Sequence, residues 1–122
     1  MKTSGKFIIH RHCRENEPVH FDLMLEAQDA LWTFRIEKEP AELLKGTHKA
    51  LKIFDHNLKF LSYQGPVNNG KGTVSTADAG NFKMLDKKED GYLIDFSGKI
   101  LKGEFKLCRI RNDVWEISKK TN

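Results

Sequence analysis

Apolar and polar residues alternate along most of this chain over windows of five to eight residues, and the breaks fall at Gly, Asn, Asp and Pro. The cleanest window is 19–26, where Val19, Phe21, Leu23 and Leu25 point one way and His20, Asp22, Met24 and Glu26 the other. One face is therefore core and the other is available for chemistry. The same pattern predicts strands at 7–12, 31–36, 50–54, 59–63, 72–76, 81–85, 92–96, 99–101, 104–111 and 114–118. Gln28-Asp29, Ser97-Gly98 and Asn112-Asp113 supply turns, and the polar stretch 13–18, ending in Pro18, reads as a loop. A Pro start and a Gly stop around good helix formers predict one short helix over 40–46. So many strands in one domain predict an all-β fold, a small closed or nearly closed antiparallel β-barrel with one short helix, because closure removes exposed sheet edges.

Composition narrows this picture. The 122 residues suit a single domain, and no apolar run approaches the roughly 20 residues of a membrane helix. Met1-Lys2-Thr3-Ser4-Gly5 leads into a strand rather than a signal peptide, so a soluble, cytoplasmic, monomeric protein without a membrane partner is expected. Cys13 and Cys108 have neither zinc-knuckle nor disulfide-framework spacing and read as reduced thiols. The net charge of +4 is compatible with a polyanionic partner, but both signs are scattered along the chain. Only Arg11, Arg14, Arg35, Arg109 and Arg111 offer a bidentate phosphate grip, the other basic residues being lysines.

Candidate chemistry centres on His20-Phe21-Asp22. Positions i and i+2 of a strand share a face about 6–7 Å apart and can jointly reach a divalent ion. His12, at the end of the preceding strand, is the candidate third ligand. Two imidazoles and a carboxylate suit Mn2+, Zn2+ or Fe2+ and leave positions open for water or substrate; the same residues also suit a plain solvated strand face. His56, beside Asp55 at the end of a strand, can act as acid or base near neutral pH, or simply as an exposed turn residue. His10 and His48 carry no chemical assignment. The run 65–72 lacks phosphate-loop spacing and reads as a hairpin loop. Trp32 and Trp115 share parity with aliphatic neighbours and read as core, and 87–90 reads as a solvated turn.

Taken in order, Phe7-Ile8-Ile9-His10-Arg11-His12, His20-Phe21-Asp22-Leu23-Met24-Leu25-Glu26, Leu31-Trp32-Thr33-Phe34, Asp55-His56-Asn57-Leu58-Lys59-Phe60, Gln64-Gly65-Pro66-Val67, Gly70-Lys71-Gly72-Thr73-Val74 and Leu101-Lys102-Gly103-Glu104-Phe105-Lys106-Leu107 resemble the 3′-phosphoesterase domain of DNA ligase D. The resemblance covers nearly the whole chain, as a divergent, stand-alone branch. It implies a small β-barrel with a crescent groove, a manganese-type ion held by two histidines and an aspartate, and phosphate contacts from an arginine, a histidine and a tyrosine. The metal ligands fall on His12, His20 and Asp22, and the phosphate-contacting histidine on His56. The family's arginine position holds Met24, and its tyrosine position holds Phe60. Arg35 or Lys52 is the expected substitute for that arginine.

The expectation is thus a metal-dependent phosphoesterase that processes DNA 3′ ends in repair, removing a 3′-phosphate or 3′-ribonucleotide with Mn2+ or another divalent ion such as Zn2+. A separate DNA ligase or polymerase is the expected protein partner. The alternative, motivated by Met24 and Phe60, is a catalytically degenerate module that binds DNA ends or a ligase. A small-molecule phosphate hydrolase using the same groove is a third option.

Overall fold

A computed structural model describes residues 3–121; Met1, Lys2 and Asn122 lie outside the described residues. The strands are β1 (Ser4–Arg14), β2 (His20–Glu26), β3 (Leu31–Ile36), β4 (Thr47–His56), β5 (Gly65–Val67), β6 (Gly72–Lys88), β7 (Gly91–Gly98), β8 (Lys102–Arg111) and β9 (Val114–Lys119). They pair antiparallel in the order β1-β2-β3-β4-β9-β8-β7-β6, and β6 returns to β1, so eight strands form a closed ring; β5 pairs only with the outer part of β6. The all-β, ring-closed architecture matches the sequence expectation. No helix among the described residues is long and apolar enough to cross a membrane.

The inside of the ring is filled by the residues that alternation places there: Phe7 and Ile9 from β1, Phe21, Leu23 and Leu25 from β2, Phe34 and Ile36 from β3, and Phe96, Phe105 and Ile117 from the far side. Each such side chain contributes on the order of 1.5–3 kcal/mol by leaving water. The rings interlock edge to face, Phe7 on Phe96 at 4.9 Å and Phe96 on Phe105 at 5.5 Å. Trp115 is buried and Trp32 half-buried, both against this cluster with Tyr92 between them. Cys13 and Cys108 are free thiols.

Locally one expectation holds and three fail, each for a traceable reason. The short helix expected over 40–46 is a 3-10 helix, Pro40–Leu44; the Glu42 carboxylate accepts the Glu39 N–H at 3.1 Å, and Gly46 at φ 78° follows its end. The expected strand at 59–63 is also a 3-10 turn, Leu58–Leu61, capped by Asn57, whose side chain accepts from the Lys59 N–H at 2.9 Å. The strands expected at 72–76 and 81–85 are one continuous strand, because Gly80 does not break it. A Cβ there would sit 2.1 Å from the Ser97 carbonyl, so glycine permits the close β6–β7 approach.

The expected strand at 99–101 is a turn held by a single carboxylate. Asp78, buried at the β6 bulge, accepts backbone N–H groups from Ala79, Lys99, Ile100 and Leu101 at 2.8–3.2 Å. Amides committed to Asp78 cannot also make a strand ladder. The run 65–72 is a tight hairpin: β5 pairs with the start of β6, with Asn68, Asn69 and Gly70 at positive φ between them.

Candidate metal and phosphate site

The outward face of β1, β2 and β3 carries the candidate site residues. Although alternation leaves this face open, every residue of β2 from His20 to Leu25 is buried. Phe21, Leu23 and Leu25 are buried by the core, and Met24 on the outward side is covered by the chain between β4 and β6. Its Phe60 and Leu61 pack on a second, outward cluster of Ile8, Met24 and Leu31.

Register places the polar residues in rows beside that cluster. His12 stands opposite His20, while His10, Asp22 and Arg35 line up across three neighbouring strands. His12 Nδ1 lies 3.0 Å from His20 Nε2, 3.6 Å separate it from Asp22 Oδ2, and His20 Nε2 lies 3.4 Å from Asp22 Oδ1. Ligand atoms bound about 2.0–2.1 Å from one ion stand roughly 2.8–3.0 Å apart in octahedral and roughly 3.3–3.4 Å apart in tetrahedral geometry, so the three side chains need move only by tenths of an ångström to fit a common divalent ion. Together they form a set whose donor atoms lie within 4.8 Å of one another. Gly72 closes the other side of His12, where a Cβ would come within 3.0 Å of Nε2.

Burial sets the protonation of this cluster. It lowers the pKa of His12, with the neighbouring His20 acting in the same direction, and lowers that of His10, only partly opposed by Asp22. For Asp22 burial acts upward, but the His20 hydrogen bond and the charges of His20, His12 and His56 outweigh it and hold the carboxyl below its ordinary range. A His12 pKa pushed down and an Asp22 pKa pushed down both favour the forms, neutral imidazole and ionised carboxylate, that a transition ion takes.

His56 reaches the site through a bulge. Between β3 and β4 the register shifts, so that Leu31 faces His56 while Thr33 faces Ile53. Simple alternation from Ile53 would send His56 to the inner face; the extra residue turns it outward. Its Nδ1 donates to the Phe54 carbonyl at 3.1 Å, which leaves Nε2 for a ligand. A groove of about 420 Å³ contains His10, His12, Asp22, Arg35, His56 and Phe60 in its lining.

The structure therefore brings His12, His20, Asp22, His56 and Arg35 together and leaves Lys52 apart. Lys52 stands opposite Phe34 on the inner-face parity, with its ammonium 5.7 Å from that ring and bonded to the Ile53 carbonyl and Asp55. Sequence reading missed His10, which is 1% exposed, lines the groove and has a buried Nε2 without a hydrogen-bond partner among the described residues. Its parity with His12 on β1 was the available signal. The buried Arg35 Nε likewise has no hydrogen-bond acceptor among the described residues.

The profile of the DNA ligase D 3′-phosphoesterase domain family matches residues 10–109. The chain belongs to that family. It is 23% identical over 93% of its length to the multifunctional non-homologous end joining protein LigD of Mycolicibacterium smegmatis. It is 26% identical over 89% of its length to the multifunctional non-homologous end joining DNA repair protein LigD of Mycobacterium tuberculosis. The matched stretches cover only 16% and 15% of those two proteins. Met24 and Phe60, the two positions where the resemblance implies polar phosphate contacts, come together in the outward apolar cluster, Met24 within it and Phe60 packed against it.

Proposed function

We propose that this chain processes DNA 3′ ends in end joining as a divalent-metal phosphoesterase, acting on a terminal 3′-phosphate or 3′-ribonucleotide. The observation carrying this reading is the convergence of His12 Nδ1, His20 Nε2 and the Asp22 carboxylate beside Arg35 and His56 in one groove. His12, His20 and Asp22 would hold Mn2+ or Zn2+, which supplies Lewis-acid charge against phosphate oxygens when bound. Arg35, next to Asp22 across the ladder, takes the role of the arginine replaced by Met24 and neutralises charge on the non-bridging oxygens. His56, with Nδ1 fixed on the Phe54 carbonyl, directs Nε2 at the phosphate and would pass a proton from it to the ester oxygen that leaves as a water oxygen adds to phosphorus and the old P–O bond breaks. The cover formed by Phe60 and Leu61 keeps water from much of this face, strengthening each charge contact.

Incubation with manganese and a duplex ending in a 3′-phosphate or a single ribonucleotide tests the proposal, with His20→Ala as control. Release in the wild type and not in the variant is expected; equal release from both overturns it. The apolar cluster that takes in both the Met24 and Phe60 positions favours a second reading, an end-binding module without turnover. Salt-dependent binding of the same duplex with no product under any divalent ion would select it.

A further inference from the structure

We propose that Phe54 is a stacking platform for the terminal nucleobase of the bound strand, an inference that rests on the end-processing reading above. Four large hydrophobic side chains are exposed among the described residues, and Phe54, at 75%, is the most exposed of them and lies in the lining of the groove. Leaving an aromatic ring in water forfeits the burial energy that every other strand phenylalanine in this fold collects, so its placement calls for a ligand.

Three observations point to a base. Phe54 occupies the stretch where the β3–β4 register shifts, so it is released from the alternation of the ladder and projects at the rim. Its ring lies parallel to the His56 imidazole, 4.8 Å away and tilted by 9°, which fixes its orientation beside the proposed proton donor while its exposure leaves the ring open to a partner. Arg14 and Arg35 line the same groove, whose roughly 420 Å³ is far more than a phosphate alone would fill. A flat aromatic next to a phosphate-binding cluster matches a terminal nucleotide, with its phosphate among the cations and its base on the ring. Stacking accepts any base, so the platform would confer affinity for a nucleotide end without sequence preference.

The test reads binding in EDTA, apart from turnover, by fluorescence anisotropy of short 5′-labelled oligodeoxynucleotides that end in a 3′-phosphate and carry either a base or an abasic site at the terminal position. For wild-type protein the abasic end should bind about 5- to 100-fold more weakly. Phe54→Ala should weaken binding of the base-bearing end by a similar factor, and the two losses should not add. Phe54→Trp should retain discrimination, and Phe54→Leu, which keeps apolar bulk without a π-face, should lose most of it. Additive losses, or a Phe54→Leu protein that discriminates like wild type, overturn the platform and leave the end-processing reading standing. Wild-type protein that binds neither oligonucleotide while releasing no phosphate from the duplex under manganese removes the end-processing reading, and the platform with it.

Discussion

His12 and His20 face each other across the β1–β2 ladder with Nδ1 and Nε2 only 3.0 Å apart, and the Asp22 carboxylate is within 3.6 Å of both rings. Two imidazole lone pairs at that separation repel unless a proton or a cation lies between them. A divalent ion should therefore stabilise the fold as well as enable chemistry. At a manganese or zinc concentration a hundredfold above Kd the gain is about 2.7 kcal/mol, read as a rise in melting temperature. The rise should disappear in His20→Ala and on adding EDTA.

The same cluster makes stability depend on pH. His10 and His12 are held below the ordinary 6.5, chiefly by burial. Between about pH 6.5 and those lowered values the unfolded chain binds more protons than the folded one, so stability is fully present above 6.5 and is lost as pH falls. Asp22, lowered from 3.8, acts with the same sign in a more acidic window. The urea midpoint of metal-free protein should drop between pH 7.5 and 5.5, and by less in His10→Gln. A midpoint that rises on acidification would contradict this assignment.

Arg35 and Lys52 separate two ways of replacing the family's arginine. Arg35→Ala should lower phosphate release by about 10²- to 10³-fold, since its guanidinium lines the groove beside Asp22. Lys52→Ala should stay within roughly threefold, because its ammonium is bonded to Ile53 and Asp55 and is absent from the groove lining. Steady-state kinetics on one duplex substrate, with the two variants in parallel, decides between them.

Restoring the arginine should fail. Met24 is 1% exposed and packed with Ile8, Leu31 and Phe60, so Met24→Arg buries a cation among apolar side chains at a cost of about 3 kcal/mol or more. Denaturant unfolding should show the loss. Phe60→Tyr alone should cost less, and the two substitutions together should be non-additive because they share one apolar cluster.

Asp78 offers a prediction about the fold alone. Four backbone donors converge on its carboxylate, so Asp78→Ala should cost roughly 3–5 kcal/mol, with unfolding that begins at the β7–β8 turn in hydrogen exchange. Asp78→Asn, with only one acceptor oxygen, should fall between.

Much of this site was legible because strand alternation is local. The parity of 19–26 put His20 and Asp22 on one face, and that face is where they are found. His10 was legible by the same rule, two residues before His12, and went unassigned. The position of His56 was not legible, because it depends on a register shift against β3 that no property of 50–56 alone reveals. Nor was the cover over the site. Leu58, Phe60 and Leu61 have the composition of a strand, and it is the Asn57 cap and the packing of Phe60 and Leu61 against Ile8, Met24 and Leu31 that turn them into a lid-like 3-10 turn. The turn at 99–101 was hidden for a related reason, since its hydrogen-bond acceptor lies 21 to 23 residues away in sequence.

Ring closure leaves β5 as the one strand among those described with a single ladder partner, and at three residues it is also the shortest. Pro66 sits at its centre with no N–H to donate, and the hairpin behind it turns within four residues, Asn68 to Lys71. A foreign strand finds almost nothing there to extend. Among the described strands the single one-sided edge is thus short, interrupted by proline and set beside the groove that Val67 helps to line, and Pro66→Val is the substitution expected to promote edge-to-edge association, read by light scattering at high concentration.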